Sequence, residues 1–559
     1  MSAPAISSGV GNSSFREAAE LIARPEAANG RPVILVGFQR QGNLGLGYLA
    51  STLRHCGYTV EVLDFERDPA DILAAALRLD PVLIGFSLIF QFYIRKFGVL
   101  IRYLRDNGID CHFTMGGHYP TLSYEQTLLT VPELDSVVRY EGELTLLEMV
   151  DALNAGAQWR NIGGIAYRGA DGITATAPRK LMPSLDELPY PNRDFEPIRV
   201  LGRTIMPLLA SRGCARTCSF CSIHTFYRTA PGKVVRTRRP AEVVKEMVSL
   251  LEERGATIFL FQDDDFPLFG KVWRRWANEF VDELHRADLV GRVIWKINCR
   301  ADAVEPELFK RMRDAGLYIV YMGLESGTEE GLKILNKEIT VEQNLRAVRI
   351  LKELGIMFEF GFMLLDPSST FESVAANVDF LRAIVGDGSA AGTFCKMLPY
   401  DGTPIKDELE RTGRLRGDVC APDYAFLDPR LEDFYRALAS TLDVTGWIHG
   451  HKALSWQLNW AWHEIAVIEH LFPALPGLAD YKDLLRTITR DSNAGLFAVV
   501  DELAAAFRDG RAPTHDAVAL EQHCSAFLAR LLEERNALMA EHQSVLLEAL
   551  ERPVSRRAA

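Results

Sequence analysis

The sequence predicts an α/β protein in three parts, and three observations carry that prediction. A first series of short apolar runs alternates with helix-like stretches. A second such series follows a Gly- and Pro-rich break, and a long helical pattern closes the chain.

In the first series, apolar runs at 33–37, 60–63, 82–87, 111–115 and 136–138 alternate with helical patterns near 43–55, 69–79, 93–107, 123–130 and 143–154. This pitch predicts a parallel, doubly wound (Rossmann-type), flavodoxin-like domain over 31–155, with its ligand beyond the carboxyl ends of the strands. Over 156–200, Gly163–Gly164, a turn at Gly169–Gly172 and a Pro-containing run from Pro183 to Pro197 predict a hairpin and a linker. The second series places strands at 205–210, 257–261, 293–298, 318–323, 358–364 and 393–398, separated by amphipathic segments. Six strand–helix units in order predict a partial, TIM-like (β/α)6 barrel over 201–405, with its chemistry at the C-terminal strand ends. Beyond 405 the strand signal fades, so 406–559 is expected to be mainly helical. Residues 1–30 read as a frayed tail, as do the basic residues Arg556–Arg557.

Of the 559 residues, 48% are hydrophobic and 24% charged, which excludes a largely disordered or fibrous chain. A net charge of −12 argues against a nucleic-acid partner. No uncharged apolar run is long enough to span a membrane, and residues 1–30 lack a secretory pattern, so a cytoplasmic protein is expected. Nine cysteines, an odd number thinly spread, make a poor disulfide framework. Six stand alone, whereas Cys214, Cys218 and Cys221 fall together.

Those three lie in Ser211-Arg-Gly-Cys-Ala-Arg-Thr-Cys-Ser-Phe-Cys-Ser222, directly after the first barrel strand. Three thiolates on one loop can converge on a face of an iron–sulfur cube, whereas a tetrahedral zinc site requires a fourth protein ligand, for which His224 is the candidate. The spacing C-x3-C-x2-C, with Phe220 before the third cysteine, resembles the radical S-adenosylmethionine (SAM) enzymes. The resemblance implies that Cys214, Cys218 and Cys221 bind three irons of a [4Fe–4S] cluster. The fourth iron is then chelated by SAM, whose reduction releases methionine and a 5′-deoxyadenosyl radical that abstracts hydrogen from substrate. It further implies SAM contacts at the later strand ends. These are Asp263 and Asp264 after the second strand, Arg300 as a fork for the SAM carboxylate, Glu325 and Ser326 for ribose or amino group, and Gly361 with Phe220 at the adenine.

Radical SAM proteins with a doubly wound domain commonly bind cobalamin, whose fingerprint in related folds runs D-x-H-x-x-G, S-x-L, G-G. Here the first set reads Gly37-Phe-Gln-Arg-Gln-Gly42, the second Ser87-Leu-Ile89 and the third Gly116-Gly117. The resemblance implies a cobalamin site involving Gln39, Arg40, Gly42, Ser87, Gly116 and Gly117, with no histidine of that motif on cobalt. Small residues at the last three places alternatively serve as strand-to-helix turns. Glu141-Gly142-Glu143 opens the last helix of this domain, where acids oppose the helix dipole and a structural role suffices. Trp456, Trp460 and His463 share one helix face and read as an aromatic seam packed on the barrel. The His449-Gly-His451 pair lacks further ligands nearby.

The expected function is that of a cobalamin-dependent radical SAM enzyme, with methyl transfer from methylcobalamin to carbon of a small-molecule or peptide substrate. A second SAM recharges the corrin, and an external electron donor such as flavodoxin or ferredoxin is implied. Alternatives are a cyclase or rearrangement enzyme of the same superfamily and a non-catalytic cobalamin-binding sensor.

Overall fold

The computed structural model describes residues 30–551 except 41, 449, 451 and 515. The tail predicted for 1–30 lies outside them apart from Gly30, as do Gln41 of the first fingerprint set, the His449 and His451 pair and the Arg556–Arg557 end.

The first sheet has seven strands in the order β2-β1-β3-β4-β5-β6-β7. The strands β1 (Val33–Gly37), β2 (Val60–Asp64), β3 (Leu83–Ser87), β4 (His112–Gly116) and β5 (Ser136–Val138) are parallel. Helices Leu44–His55 and Glu143–Asn154 cover one face, and Pro69–Leu79, Ile94–Asp106 and Tyr124–Thr130 the other. Burial on both faces is why these strands read as continuous apolar runs rather than alternating ones. The hairpin β6 (Ile165–Gly169) and β7 (Gly172–Ala175) extends this sheet antiparallel to β5.

The second sheet runs β16-β15-β14-β13-β12-β9-β8. Its members are β8 (Arg199–Val200), β9 (Arg203–Leu208), β12 (Ala256–Phe261), β13 (Ile294–Cys299), β14 (Leu317–Glu325), β15 (Met357–Leu365) and β16 (Cys395–Lys396). Six of them are parallel in chain order and curl into a partial barrel, while β8 pairs antiparallel with β9 at the edge. The sixth strand, expected over 393–398, is only two residues long. A short antiparallel pair, β10 (Ser211–Arg212) with β11 (Arg236–Thr237), sits where the cysteine segment leaves the barrel. A hairpin, β17 (Leu415–Asp418) with β18 (Ala421–Tyr424), interrupts the region read as helical. Three of the four residues of β17 are exposed, so no apolar alternation marks it in the sequence.

Five helices follow: Arg430–Thr445, Leu454–Leu471, Leu478–Arg508, Ala517–Glu541 and Gln543–Glu551. The second of them plugs the amino end of the barrel, its Ala466, Val467, Ile468 and Leu471 packing on Ile205, Ile258, Ile294 and Ile319 from four successive strands. The aromatic seam lies on this helix: Trp456 stacks on Trp460, and Tyr318 Oη stands 2.7 Å from His463 Nε2. Burial pushes His463 down to about 4, so it is neutral. Ile468→Ala is expected to cost about 3 kcal/mol in urea unfolding of the full chain, because it opens a void in this plug.

Candidate active site

The two sheets meet with their carboxyl ends facing across a cavity of about 690 Å³. Arg40, Gly42, Ser87, Gly116 and Gly117 line it from the first sheet, and Ser211, Arg212, Gln262 and Asp264 from the barrel. The cavity also reaches down between the strands to Leu35, Gly85 and Thr114. A Cβ at Gly85 would stand 2.9 Å from Leu35 Cδ2, so glycine there keeps the slot open. Gly117 has φ +114°, and a Cβ on it would lie 2.2 Å from the Leu88 carbonyl oxygen. Gln39 is set apart from the lining; its carbonyl accepts from Gly42 N at 2.8 Å, closing the turn, and its amide Nε2 is buried with no hydrogen-bond partner.

The cysteine segment leaves β9 and is held at its root. Asp263 accepts from Ser211 Oγ and from Ala210 N, and Asp264 accepts from Gly213 N at 3.0 Å. Further on, Ser219 N donates to Leu335 O at 2.9 Å and Ser219 Oγ to Ile334 O at 2.8 Å, tying the loop to the far side of the barrel. Burial first, with the charge of Cys218 adding to it, pushes the Cys214 thiol up to about 12 and Cys221 up to about 11. Three thiolates on this buried loop would require a cation among them, which an iron–sulfur cube would supply. Among the described residues no three His, Cys, Asp or Glu side chains converge as a single-ion site. His224 does not close a tetrahedral set; its Nδ1 is buried without a partner and its Nε2 lies 3.3 Å from Thr225 Oγ1.

Around Cys218 the strand ends assemble a second set. Arg300 Nη1 stands 3.9 Å from Cys218 Sγ, while Arg300 Nη2 donates to Lys337 O at 2.6 Å and its Nε to Asp302 at 3.0 Å. Lys337 Nζ pairs with Glu325 Oε1 at 3.0 Å and lies 5.9 Å from the centre of the Phe220 ring. A Cβ at Gly361 would stand 3.5 Å from Glu325 Oε2. Phe220, Arg300, Glu325 and Gly361 thus come together beside Cys218.

Three expected residues do not join them: Asp264 accepts from Gly213 N and lines the shared cavity instead. The Ser326 hydroxyl is buried and turned to Asn377 Oδ1 at 3.2 Å, and the Asp263 carboxylate is spent on the loop root. Sequence reasoning missed Lys337, which sits beyond a short helix rather than at a strand end. It also missed Asp265, whose charge acts on Cys214 and which burial pushes up to about 6. Gly85 and Thr114 lie inside strands, where nothing in the sequence separates a slot from ordinary packing.

A cysteine loop on the first strand of a partial barrel, facing a doubly wound domain, defines a two-domain class of radical enzyme. Residues 208–381 match the Radical SAM superfamily and residues 12–150 the B12 binding domain. The chain belongs to the radical SAM superfamily and carries a B12-binding domain, so SAM, a [4Fe–4S] cluster and cobalamin are its cofactors. An uncharacterized methyltransferase of Pyrococcus horikoshii is 30% identical over 372 residues, covering 65% of this chain and 77% of that protein. The anaerobic magnesium-protoporphyrin IX monomethyl ester cyclase of Rubrivivax gelatinosus is 30% identical over 354 residues, 60% of this chain and 61% of the cyclase. The solved structure of OxsB, a cobalamin-dependent S-adenosylmethionine radical enzyme with aqua-cobalamin and S-adenosylmethionine bound, superposes with a TM-score of 0.66 at 18% identity, over 93% of this chain and 83% of that one. At that identity the likeness is one of fold.

Burial raises the Asp263 carboxyl to about 7 despite the hydrogen bonds it accepts. Its folded value lies above its unfolded one, so the stability it contributes is complete below about pH 4 and is lost as pH rises through about 7. Relative to Asp263→Asn, the native chain should lose on the order of 4 kcal/mol between those limits, read by urea unfolding across that range.

Proposed function

We propose that this protein is a cobalamin-dependent radical SAM methyltransferase that alkylates an unactivated carbon of a small-molecule or peptide substrate. The observation that carries this reading is the 690 Å³ cavity shared by the carboxyl ends of both sheets, with the cysteine loop rooted in its wall. In this assignment Cys214, Cys218 and Cys221 hold the cluster. Phe220, Arg300, Glu325 and Gly361, with Lys337, frame SAM. Arg40, Gly42, Ser87, Gly116 and Gly117 frame the corrin, Gly85 and Thr114 admit its nucleotide tail, and Gln39 shapes the turn beneath. Asp264 stands where the two cofactor sites meet, and Asp263 and Ser326 support the loop and strand without touching a cofactor. When bound, the cluster and SAM supply a carbon-centred radical and the corrin supplies a methyl group.

The chain's own residues account for the rest. The helix plug closes the amino end of the barrel, leaving the shared cavity as the way in and limiting water at the radical site. Inside the barrel, Lys296 Nζ pairs with Glu359 Oε2 at 2.6 Å, and the half-exposed Tyr321 stands on the strand between them; these polar groups are suited to orient a substrate. No helix among the described residues is long and apolar enough to cross a membrane. None of the nine cysteines forms a disulfide, which fits a reducing, cytoplasmic setting with a flavodoxin- or ferredoxin-type electron donor.

The methyltransferase relative supports the leading reading, and the cyclase relative supports a second one in which cobalamin serves without methyl transfer. Turnover with methyl-labelled SAM separates them: label in the product is expected, and unlabelled product from an active enzyme would favour the cyclase reading. Cys218→Ala, reconstituted anaerobically, should lose the cluster's absorbance and all 5′-deoxyadenosine formation while still retaining cobalamin. Undiminished SAM cleavage by that variant would remove Cys218 from the ligand set.

A further inference from the structure

Glu141-Gly142-Glu143 opens helix Glu143–Asn154, and the dipole accounts for an acid in that first turn. It does not account for where the two carboxylates go. Glu141 Oε1 accepts from Arg212 Nη1 at 3.2 Å, and Glu141 Oε2 accepts from Arg236 Nη1 at 2.7 Å and from Met182 N at 3.1 Å. Glu143 Oε1 accepts from Arg212 Nη2 at 2.7 Å. Both acids belong to the first domain and both arginines to the barrel side. Arg212 is 10% exposed and Glu143 5%, a depth at which desolvation consumes most of what pairing returns, so stability alone is a weak reason for the arrangement. Tyr140, just before the motif, is held at φ +66°.

Arg212 stands two residues before Cys214. The residue between them, Gly213, is fixed by the Asp264 carboxylate at 3.0 Å, and its φ of +88° leaves no room for a side chain, since a Cβ would lie 2.1 Å from Val234 O. Both residues leading into the first cysteine are therefore held by carboxylates, and Glu141, Glu143 and Asp264 all line the shared cavity. Arg212 lines it too, with its guanidinium 4.7 Å over the Tyr48 ring, another wall residue. Any group that fills the cavity lies against the same atoms that set the root of the cysteine loop.

We infer that Glu141 and Glu143 are positioning residues that couple occupancy of the cavity to the geometry of the cysteine loop, so that cobalamin and SAM tighten each other's binding. This rests on the cofactor placement proposed above. Coupling of this kind is reciprocal: the factor by which one ligand improves the other is the same in both directions.

The test uses the full chain with its cluster reconstituted and left oxidised, so that SAM binds without cleavage. SAM is titrated calorimetrically with and without aquacobalamin, and aquacobalamin with and without SAM. The native chain should show one shared coupling factor of about fivefold or more. In E141Q/E143Q both cofactors should still bind, with the factor falling below about twofold. In a separate sample, reduced with a non-cleavable SAM analogue in place of SAM, the change that cobalamin induces in the electron paramagnetic resonance spectrum of the cluster should vanish with it. R212K, which keeps the charge but cannot bridge both acids, should behave alike and serves if the double variant does not fold. E246Q weakens a comparably buried pair with Arg193 and Arg238 that lies off the cavity, and should retain the factor. A native chain that binds both cofactors independently, or an E141Q/E143Q chain that keeps the full factor, would overturn the inference while leaving the proposed function intact. A native chain that binds neither cofactor would remove the proposed function and the inference with it.

Discussion

The ion pairs of Arg212 and Arg236 with Glu141 and Glu143 constrain how the two sheets of this protein meet. Each charge is taken largely out of water, so each must find its partner from the other side or be left at a cost of several kcal/mol. A rotation of one domain against the other by even a few ångströms would strand them. The paired arrangement therefore selects one docking geometry, with both sets of strands pointing their carboxyl ends at the same space. Open α/β sheets and barrels each build sites at that end. Setting the two ends face to face merges two such sites into one cavity of about 690 Å³.

The rest of the architecture protects that arrangement. A second buried network, Arg193 and Arg238 on Glu246, packs the linker and the loop after β11 against helix Pro240–Arg254. At the opposite end of the barrel the plug is mainly apolar, with Ile205, Ile258, Ile294 and Ile319 against Val467 and Ile468 and the neutral His463 hydrogen-bonded to Tyr318. Charge lies where the domains must be oriented, and apolar surface lies where the barrel need only be closed. A contact between hydrocarbons tolerates small slips that a pair of buried ions does not.

Most of the fold was legible in the sequence because parallel strands buried on both faces leave unbroken apolar runs, and Val33–Gly37 and Ala256–Phe261 are of this kind. The mostly exposed β17 leaves no such mark, and β18 is only four residues long, so this hairpin was missed. The cysteines were legible because three soft ligands in eight residues have few other uses. Strand-end reasoning chose loops that the structure brings together, but not always the side chains that meet there. Asp263 and Asp264 are adjacent on one turn and both hold the loop root, yet only Asp264 also opens on the cavity. Ser326 follows Glu325 directly and faces the other way. Adjacent residues in extended chain point to opposite sides, and the sequence does not say which side a turn residue inherits. Lys337 was invisible for a different reason: its place beside Glu325 and Phe220 is created by tertiary packing alone.

The Glu325–Lys337 pair also explains a local departure from good strand chemistry. Gly323 and Gly361 lie directly opposite each other on β14 and β15. Glycine inside a strand weakens it, by roughly 0.5–1 kcal/mol at each position. At Gly323 a Cβ would stand 2.2 Å from Glu325 Oε1 and 2.7 Å from Lys337 Nζ, so any larger residue would displace the ion pair. The paired glycines form a window in the barrel wall, and the ion pair occupies it. Glu325 itself is held at φ +65°, a conformation costing a non-glycine residue about 1–3 kcal/mol. Two glycines, a strained glutamate and a buried ammonium are each unfavourable, and they sit in or against one strand pair beside Cys218. Strain gathered in this way persists only where the surroundings over-determine it. Here they do so by fixing one carboxylate and one cation at the edge of the cysteine loop, next to an aromatic ring, before any cofactor arrives.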